Sequence, residues 1–307
     1  MSHYKNLLAQ AEKLYRHNRQ GSYQTRMRYQ EVFSKFLKFV AEEYRLEKIQ
    51  NIAPKHFEAY FAHLKAKGLA ASTIKTEASA IRFWHDKISN AKHRLPTNDD
   101  LKLERRKFGG VDRTWSNSEL ELMIAECRKA NRPDWESCLI IAHNAGLRIH
   151  ETMRIDTAIA RAALKTGVII IKGKNGRIRA VPIDNAVRTE LENSLRHAPE
   201  GHKLFVEEDR QTHLAIKNLQ RFIRTRWEKV QSPDSDDNFP ITFHGLRHNY
   251  ARGRYTELEP SGYVEEVPLK DVSALMGHNR PDVTRIYLPK LRKKPKPPQS
   301  GENDGHA

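Results

Sequence analysis

The residues in this chain best suited to chemistry are Arg148, Lys174, His244, Arg247, His278 and Tyr287. Their settings are Ala-Gly-Leu-Arg148-Ile-His-Glu151, Lys174-Asn-Gly176, His244-Gly-Leu-Arg247-His and Met-Gly-His278, with Tyr287 nine residues further on. Brought together by a fold, they supply what cleavage of a phosphodiester by phosphoryl transfer needs: a nucleophile, positive charge for the non-bridging oxygens, and a proton for the departing oxygen. The planar forks of Arg148 and Arg247 can donate paired hydrogen bonds to a phosphate, and they stay charged at any physiological pH. The Lys174 ammonium, beside a tight turn, can protonate a leaving 5′-oxygen. A tyrosine hydroxyl, with an ordinary pKa of about 10, attacks only beside cations and a proton acceptor. His244 and His278 can be both to Tyr287. The resulting phosphotyrosine ester would keep the bond energy for resealing by a second hydroxyl, so no cofactor and no metal is expected. Glu151, one helical turn after Arg148, is placed to hold that guanidinium.

Each choice has competitors. Lys172 lies two residues from Lys174 on the same strand face, and Tyr250, Tyr255 and Tyr263 compete with Tyr287. His150 and His248 stand beside the arginines, where a structural role is the simpler expectation. A Gly-Leu pair precedes both Arg148 and Arg247, which predicts a buried local backbone.

The elements that must position these residues are mostly helical. Tyr29, Phe33, Phe36, Leu37, Val40 and Tyr44 recur at three- and four-residue steps from Ser22 to Tyr44, the spacing of one buried helix face. The pattern repeats over Lys55–Lys67 and Ser72–Ile88, with Gly68 as a stop between them. Periodicity fails between Arg94 and Arg113, where Pro96, Asn98-Asp99-Asp100 and Gly109-Gly110 mark a linker. Its Lys102, Arg105, Arg106 and Lys107 could follow a phosphate backbone or form a solvated loop. Ser116-Asn-Ser-Glu119 has capping-box spacing and predicts a helix to about Lys129. Val168–Lys174 and Arg177–Ile183, joined by Asn175-Gly176, predict a β-hairpin. Beyond Leu288 the tail is rich in lysine and proline, a composition that cannot build a core. The expected fold is mainly α: a helical bundle over 1–93, a basic linker over 94–113, a mixed α/β domain with a small antiparallel hairpin over 114–288, and a disordered basic tail over 289–307.

Composition narrows the partner. Of 307 residues, 54 are Lys or Arg and 38 are Asp or Glu, giving a net charge of +16 and a pI near 9.8. That excess attracts polyphosphate through counterion release, so nucleic acid is the default partner, with a generically basic or ribosome-associated protein as the alternative. No apolar run is long enough to span a bilayer, and the N-terminus moves directly into charged helical sequence without a secretory signal. A cytoplasmic, nucleoid-associated location is expected. Cys127 and Cys138, without CxxC spacing, offer neither a zinc knuckle nor a disulfide framework.

The ordered set Arg148, Lys174, His244-x-x-Arg247, Gly277-His278 and Tyr287 resembles the tyrosine recombinase (phage integrase) family, with all six of its catalytic positions filled. The distance from Lys174 to Val181-Pro182, and from His278 to Tyr287, fits that family and selects these residues over their competitors. The helical segment near 22–92, with Ala71-Ser-Thr-Ile-Lys opening its last long helix, is similar to the family's core-binding domain, and 113–288 to its catalytic domain. The resemblance implies a site-specific recombinase that clamps double-stranded DNA, assembles as a homotetramer on synapsed sites from a free monomer or dimer, and exchanges strands through a Holliday junction. It also allows accessory DNA-bending or directionality factors. With about twenty residues before the bundle, the simple form without an arm-binding domain is expected, as in chromosome-resolving or mobile-element enzymes. Two stretches depart from the compact members. Thr256–Val267 is longer and acidic, and the tail after Tyr287 replaces a helix that members often donate to a neighbour. A catalytically silent DNA-binding regulator and a tyrosine-type topoisomerase are the alternatives on the same scaffold.

Overall fold

The computed structural model describes residues 2–104, 112–173, 176, 178–231, 240–259, 263–264, 266–278, 281–288 and 292–293. Its chain contacts divide into two compact units, Met1–Lys107 and Phe108–Ala307.

The first unit is helical throughout its regular structure: α1 (His3–His17), α2 (Tyr23–Tyr44), α3 (Pro54–Ala66) and α4 (Ala71–His85). Ser22 starts α2 by accepting a hydrogen bond from the Thr25 N–H at 3.2 Å, and Arg45 ends it in the left-handed region at φ 49°. Proline at the first position of α3 fixes a helical φ where its missing N–H costs nothing. The aromatic stripes read from the sequence are core. Phe33, Phe36, Phe57 and Trp84 are wholly buried, and Phe36 meets Phe57 edge-on at 6.4 Å.

Two features extend this unit beyond the expected bundle. Leu7 and Ala11 of α1 are wholly buried in the same core. The segment expected to open the linker at residue 94 also belongs to it: Leu95 is buried, Leu101 and Leu103 lie against the core, and Arg82 holds the backbone at Pro96 (2.7 Å) and the Asn98 side chain (2.8 Å). Three leucines within nine residues are too few to show a period, which is why the sequence reads as linker there. Lys102 is exposed, whereas Arg105, Arg106 and Lys107 lie outside the described residues.

The second unit contains α5 (Asn117–Lys129), α6 (Pro133–Ala145), α7 (Ile149–Thr152), α8 (Thr157–Thr166), β1 (Val168–Lys172), β2 (Ile178–Pro182), α9 (Asn185–Leu195), α10 (Thr212–Val230), α11 (Phe243–Leu258), β3 (Tyr263–Val264), α12 (Glu266–Met276), α13 (Pro281–Thr284), a 3₁₀ turn at Arg285–Tyr287 and β4 (Arg292–Lys293). The fold is mainly α with small sheets. The capping box begins α5 as its spacing predicts: the Glu119 N–H donates to Ser116 Oγ and the Ser116 N–H to Glu119 Oε2. Helix α6, with Cys138, Leu139, Ile141 and Ala142 wholly buried, is the axis against which α9 and α11 lie. Cys127 and Cys138 are free thiols in this core, and burial pushes Cys127 up to about 12.

Strands β1 and β2 form the expected antiparallel hairpin, in register from Val168 opposite Pro182 to Lys172 opposite Ile178. Ile169, Ile171 and Val181 face the core, while Ile170, Lys172 and Ile178 face outward. Lys174, Asn175 and Arg177 at the turn lie outside the described residues. A second pair, β3 with β4, is parallel and ties part of the segment after Leu288 to the stretch at 256–267. No helix among the described residues is long and apolar enough to cross a membrane.

Candidate active site

Arg247 is the structural centre of the site. It lies on α11, is wholly buried, and donates from Nη1 to the Gly146 carbonyl and from Nη2 to the Met276 carbonyl. It therefore ties the ends of α6 and α12 to α11. Burial, and next the positive charge of Arg148, bring its pKa down to about 10, which still leaves it charged at neutral pH. Gly146 makes the first contact possible: its φ is 60°, and a Cβ there would stand 2.3 Å from Cδ1 of Tyr250.

Arg148 caps α7. Its N–H donates to Glu151 Oε2 at 2.8 Å and its Nη1 to Glu151 Oε1 at 3.0 Å, as the one-turn spacing predicts. The Glu151 side chain is fully buried, and it also receives Arg179, Nη1 to Oε1 at 2.9 Å and Nη2 to Oε2 at 2.8 Å. Burial works against ionisation of Glu151, but the Arg179 hydrogen bonds, the Arg148 N–H and both positive charges outweigh it and hold the carboxyl at about 2. Glu151 is thus a fixed anion between two cations, and Arg148 keeps about a quarter of its side chain accessible.

Tyr287 is almost fully buried on the 3₁₀ turn that follows α13. Its hydroxyl lies 3.2 Å from His244 Nε2. The His278 ring stacks on it at 5.3 Å and the His248 ring lies 4.3 Å away, tilted by 40°. His278 is fixed at both nitrogens, Nδ1 by the Thr284 hydroxyl at 2.8 Å and Nε2 near Arg247 Nη2 at 3.4 Å. His244 keeps one side open to a groove, yet the surrounding protein withdraws enough water, with Arg247, Arg148 and Arg113 adding positive charge, to lower its pKa to about 4. For His278 burial, followed by the positive charges of Arg247, Arg148 and Arg179, gives about 3. Both imidazoles are neutral at physiological pH, and of the two it is His244 whose Nε2 faces the Tyr287 hydroxyl.

Five of the six residues proposed from sequence therefore meet, with Glu151 beneath Arg148. Lys174 lies outside the described residues, but Gly173, just before it, lines a cavity of about 430 Å³ with Arg148, Arg179, Gly277 and His278. Two neighbours were missed. Arg179 shares the inward face of β2 with Val181, and a charged residue on a buried strand face demands a partner; that alternation was its signal. His248, expected to be structural, lies against the Tyr287 ring; no spacing in the sequence marks it.

A groove of about 840 Å³ opens beside the site between His244, Arg148 and His150 on one side and α10 on the other. Lys217, Arg221 and Arg224 are exposed along that helix at four- and three-residue steps, forming one cationic row.

Residues 114–294 match the sequence profile of the Phage integrase family, and 12–88 that of the phage integrase N-terminal SAM-like domain. Tyrosine recombinase XerC of Natranaerobius thermophilus is 26% identical over 263 residues, spanning 81% of this chain and 82% of the relative. Tyrosine recombinase XerA of Pyrococcus furiosus is 24% identical over 233 residues, spanning 74% and 73%. A lambda integrase dimer bound to a COC′ core site has the same fold, with a TM-score of 0.63 at 19% identity over 94% of this chain and 96% of that one. With its profile covering more than half of the chain and the arginine, histidine and tyrosine cluster in place, this protein belongs to the phage integrase family, the tyrosine recombinases.

Proposed function

We propose that the chain is a site-specific DNA recombinase that cuts and rejoins duplex DNA through a covalent 3′-phosphotyrosine at Tyr287. The observation that carries this reading is the 3.2 Å approach of the Tyr287 hydroxyl to a neutral His244 Nε2, beside the Arg247 and Arg148 guanidinia. In the Nδ1–H tautomer His244 accepts the tyrosine proton as the Tyr287 oxygen forms its bond to phosphorus. The phosphorus–O5′ bond breaks, and the leaving oxygen takes a proton, a role assigned to Lys174. Arg148 and Arg247 neutralise the non-bridging oxygens, and His278 completes that side. The 5′-hydroxyl of a second strand then reverses the chemistry and releases Tyr287.

The cationic row of α10 offers a path for the phosphate backbone next to the site. In this reading the first helical unit, whose core extends to Leu103, is the core-binding domain, the basic residues Lys102, Arg105, Arg106 and Lys107 follow DNA, 114–288 is the catalytic domain and 289–307 a basic tail. Four protomers would act on synapsed duplexes through a Holliday junction; a lambda integrase tetramer, similar in fold, is found bound to a Holliday junction. A silent regulator would have no need of the arginines and histidines gathered around Tyr287. The test is to trap covalent protein–DNA complexes with denaturant in cells expressing the chain, and to sequence the attached DNA. Complexes at a defined site that vanish in Tyr287→Phe support the reading; folded protein without any covalent DNA overturns it.

A further inference from the structure

Helix α11 has a second face. Thr242 at its N-cap, then Gly245, Asn249 and Arg252, recur at three- and four-residue steps and share one stripe, whereas His244, Arg247 and His248 lie off it. A strap of backbone from Asp112 to Ser116 runs along that stripe. The Trp115 N–H donates to Asn249 Oδ1 at 2.8 Å, and Asn249 Nδ2 donates back to the Trp115 carbonyl at 2.7 Å. The carboxamide thus pairs with both backbone groups of one residue, as a neighbouring strand would. Trp115 Nε1 donates to the Thr242 carbonyl at 2.9 Å, and Arg252 Nη1 lies 3.2 Å from the Asp112 carboxylate. The approach is close: a Cβ on Gly245 would stand 2.3 Å from the Arg113 carbonyl oxygen and 2.6 Å from the Trp115 ring.

The start of α11 depends on this strap. Among the described residues the Thr242 side chain makes no capping hydrogen bond, so no side-chain cap fixes the first turn there. Burial of the Trp115 ring holds the strap down, but burial is non-directional and leaves it free to slide along the helix. The Asn249 pair sets its register. That register places Trp115 Nε1 on the Thr242 carbonyl, two residues before His244.

We propose that Asn249 is a positioning residue which, through Trp115, fixes the first turn of α11 and keeps His244 Nε2 within reach of the Tyr287 hydroxyl. This rests on the reading of Tyr287 as nucleophile and His244 as its proton acceptor.

The test uses the full chain with a fluorotyrosine incorporated at position 287, and compares the parent with Asn249→Leu, Asn249→Asp and Trp115→Phe. Trp115→Phe keeps an apolar ring but removes the Nε1 donor together with part of the buried ring volume; Asn249→Asp keeps the acceptor for the Trp115 N–H. Two readouts are taken: fluorine NMR of the free protein, and single-turnover covalent trapping on a nicked duplex of the mapped site at saturating DNA. A displacement near 1 Å is enough for a loss of about 100-fold, so Asn249→Leu should slow trapping by about 10- to 100-fold with DNA affinity changed less than about twofold. The fluorine resonance should shift or broaden, and Asn249→Asp and Trp115→Phe should fall between Asn249→Leu and the parent. Unchanged trapping and an unchanged resonance in folded variants overturn the proposal. If Asn249→Leu does not fold, the two milder variants decide it in the same way. If the parent itself traps no DNA, the functional reading fails, while the fluorine comparison still decides whether Asn249 positions the site.

Discussion

Replacing Glu151 with glutamine removes one charge and leaves the shape, so its cost can be worked from the structure. The carboxylate is fully buried, accepts two hydrogen bonds from Arg179, and accepts one each from the Arg148 guanidinium and N–H. Its fall from 4.5 to about 2 corresponds to roughly 3 kcal/mol, at about 1.4 kcal/mol per pH unit. Removing one partner of a buried ion pair independently costs about 3–5 kcal/mol, because the other charge stays behind. Glu151→Gln should therefore destabilise the catalytic unit by about 3 kcal/mol at pH 7, or about 6–12 °C in Tm for a unit of this size. Urea unfolding followed by tryptophan fluorescence measures it, since Trp115, Trp135 and Trp227 lie in that unit and Trp84 in the other.

The sign with pH is fixed. Because the folded pKa lies below the ordinary value, the contribution is complete above about 4.5 and is lost as pH falls toward 2, so the deficit of Glu151→Gln should shrink across that interval. A double variant separates stability from catalysis. Apolar replacement of a buried pair is often neutral, so Glu151→Leu with Arg179→Met should recover most of the stability. It should not recover covalent trapping, because Arg148 has then lost the carboxylate that aims it. A cost of Glu151→Gln below about 1 kcal/mol at pH 7 would refute the electrostatic account, since a mere neutral hydrogen-bond exchange is worth that much. Restored trapping in the double variant would refute the aiming of Arg148.

Three further outcomes follow from the same geometry. Gly146→Ala combines a left-handed φ of 60° with a 2.3 Å clash on Tyr250 and should cost about 2–4 kcal/mol in urea unfolding, whereas Gly167→Ala, at φ 77° with nothing within 4 Å, should cost only about 1–2 kcal/mol. Because the His244 pKa is lowered from 6.5 to about 4, it stays neutral as pH falls through 6.5; single-turnover trapping at saturating DNA should lose its base only below about pH 5, and an acid inflection at 6.5 would show that the imidazole is not held as described. Arg221→Ala on the exposed row of α10 should lower DNA affinity and reduce the logarithmic salt slope by about 1, leaving trapping at saturation unchanged; an unaltered slope would remove α10 from the DNA path.

What the sequence discloses and what it hides follow from the range of each interaction. Ser22 and Ser116 mark helix starts because a cap is satisfied within three residues, and the stripe from Phe33 to Val40 shows its buried face because a helix repeats it every turn. Glu151 beneath Arg148 is legible for the same reason, as one turn separates them. Arg179 is not, because its partner lies 28 residues away on α7, and only the inward face of β2 hints that a charge there must be answered. Asn249 and Trp115, 134 residues apart, leave no local trace at all. Each reads alone as an unremarkable polar or aromatic residue. In the proposed reading the catalytic groups announce themselves by type and motif, while the groups proposed to aim them are ordinary residues made specific by long-range contact. A variant scan restricted to Arg148, His244, Arg247, His278 and Tyr287 would therefore find the chemistry and miss Arg179 and Asn249, whose effects should appear as slowed trapping without loss of DNA affinity.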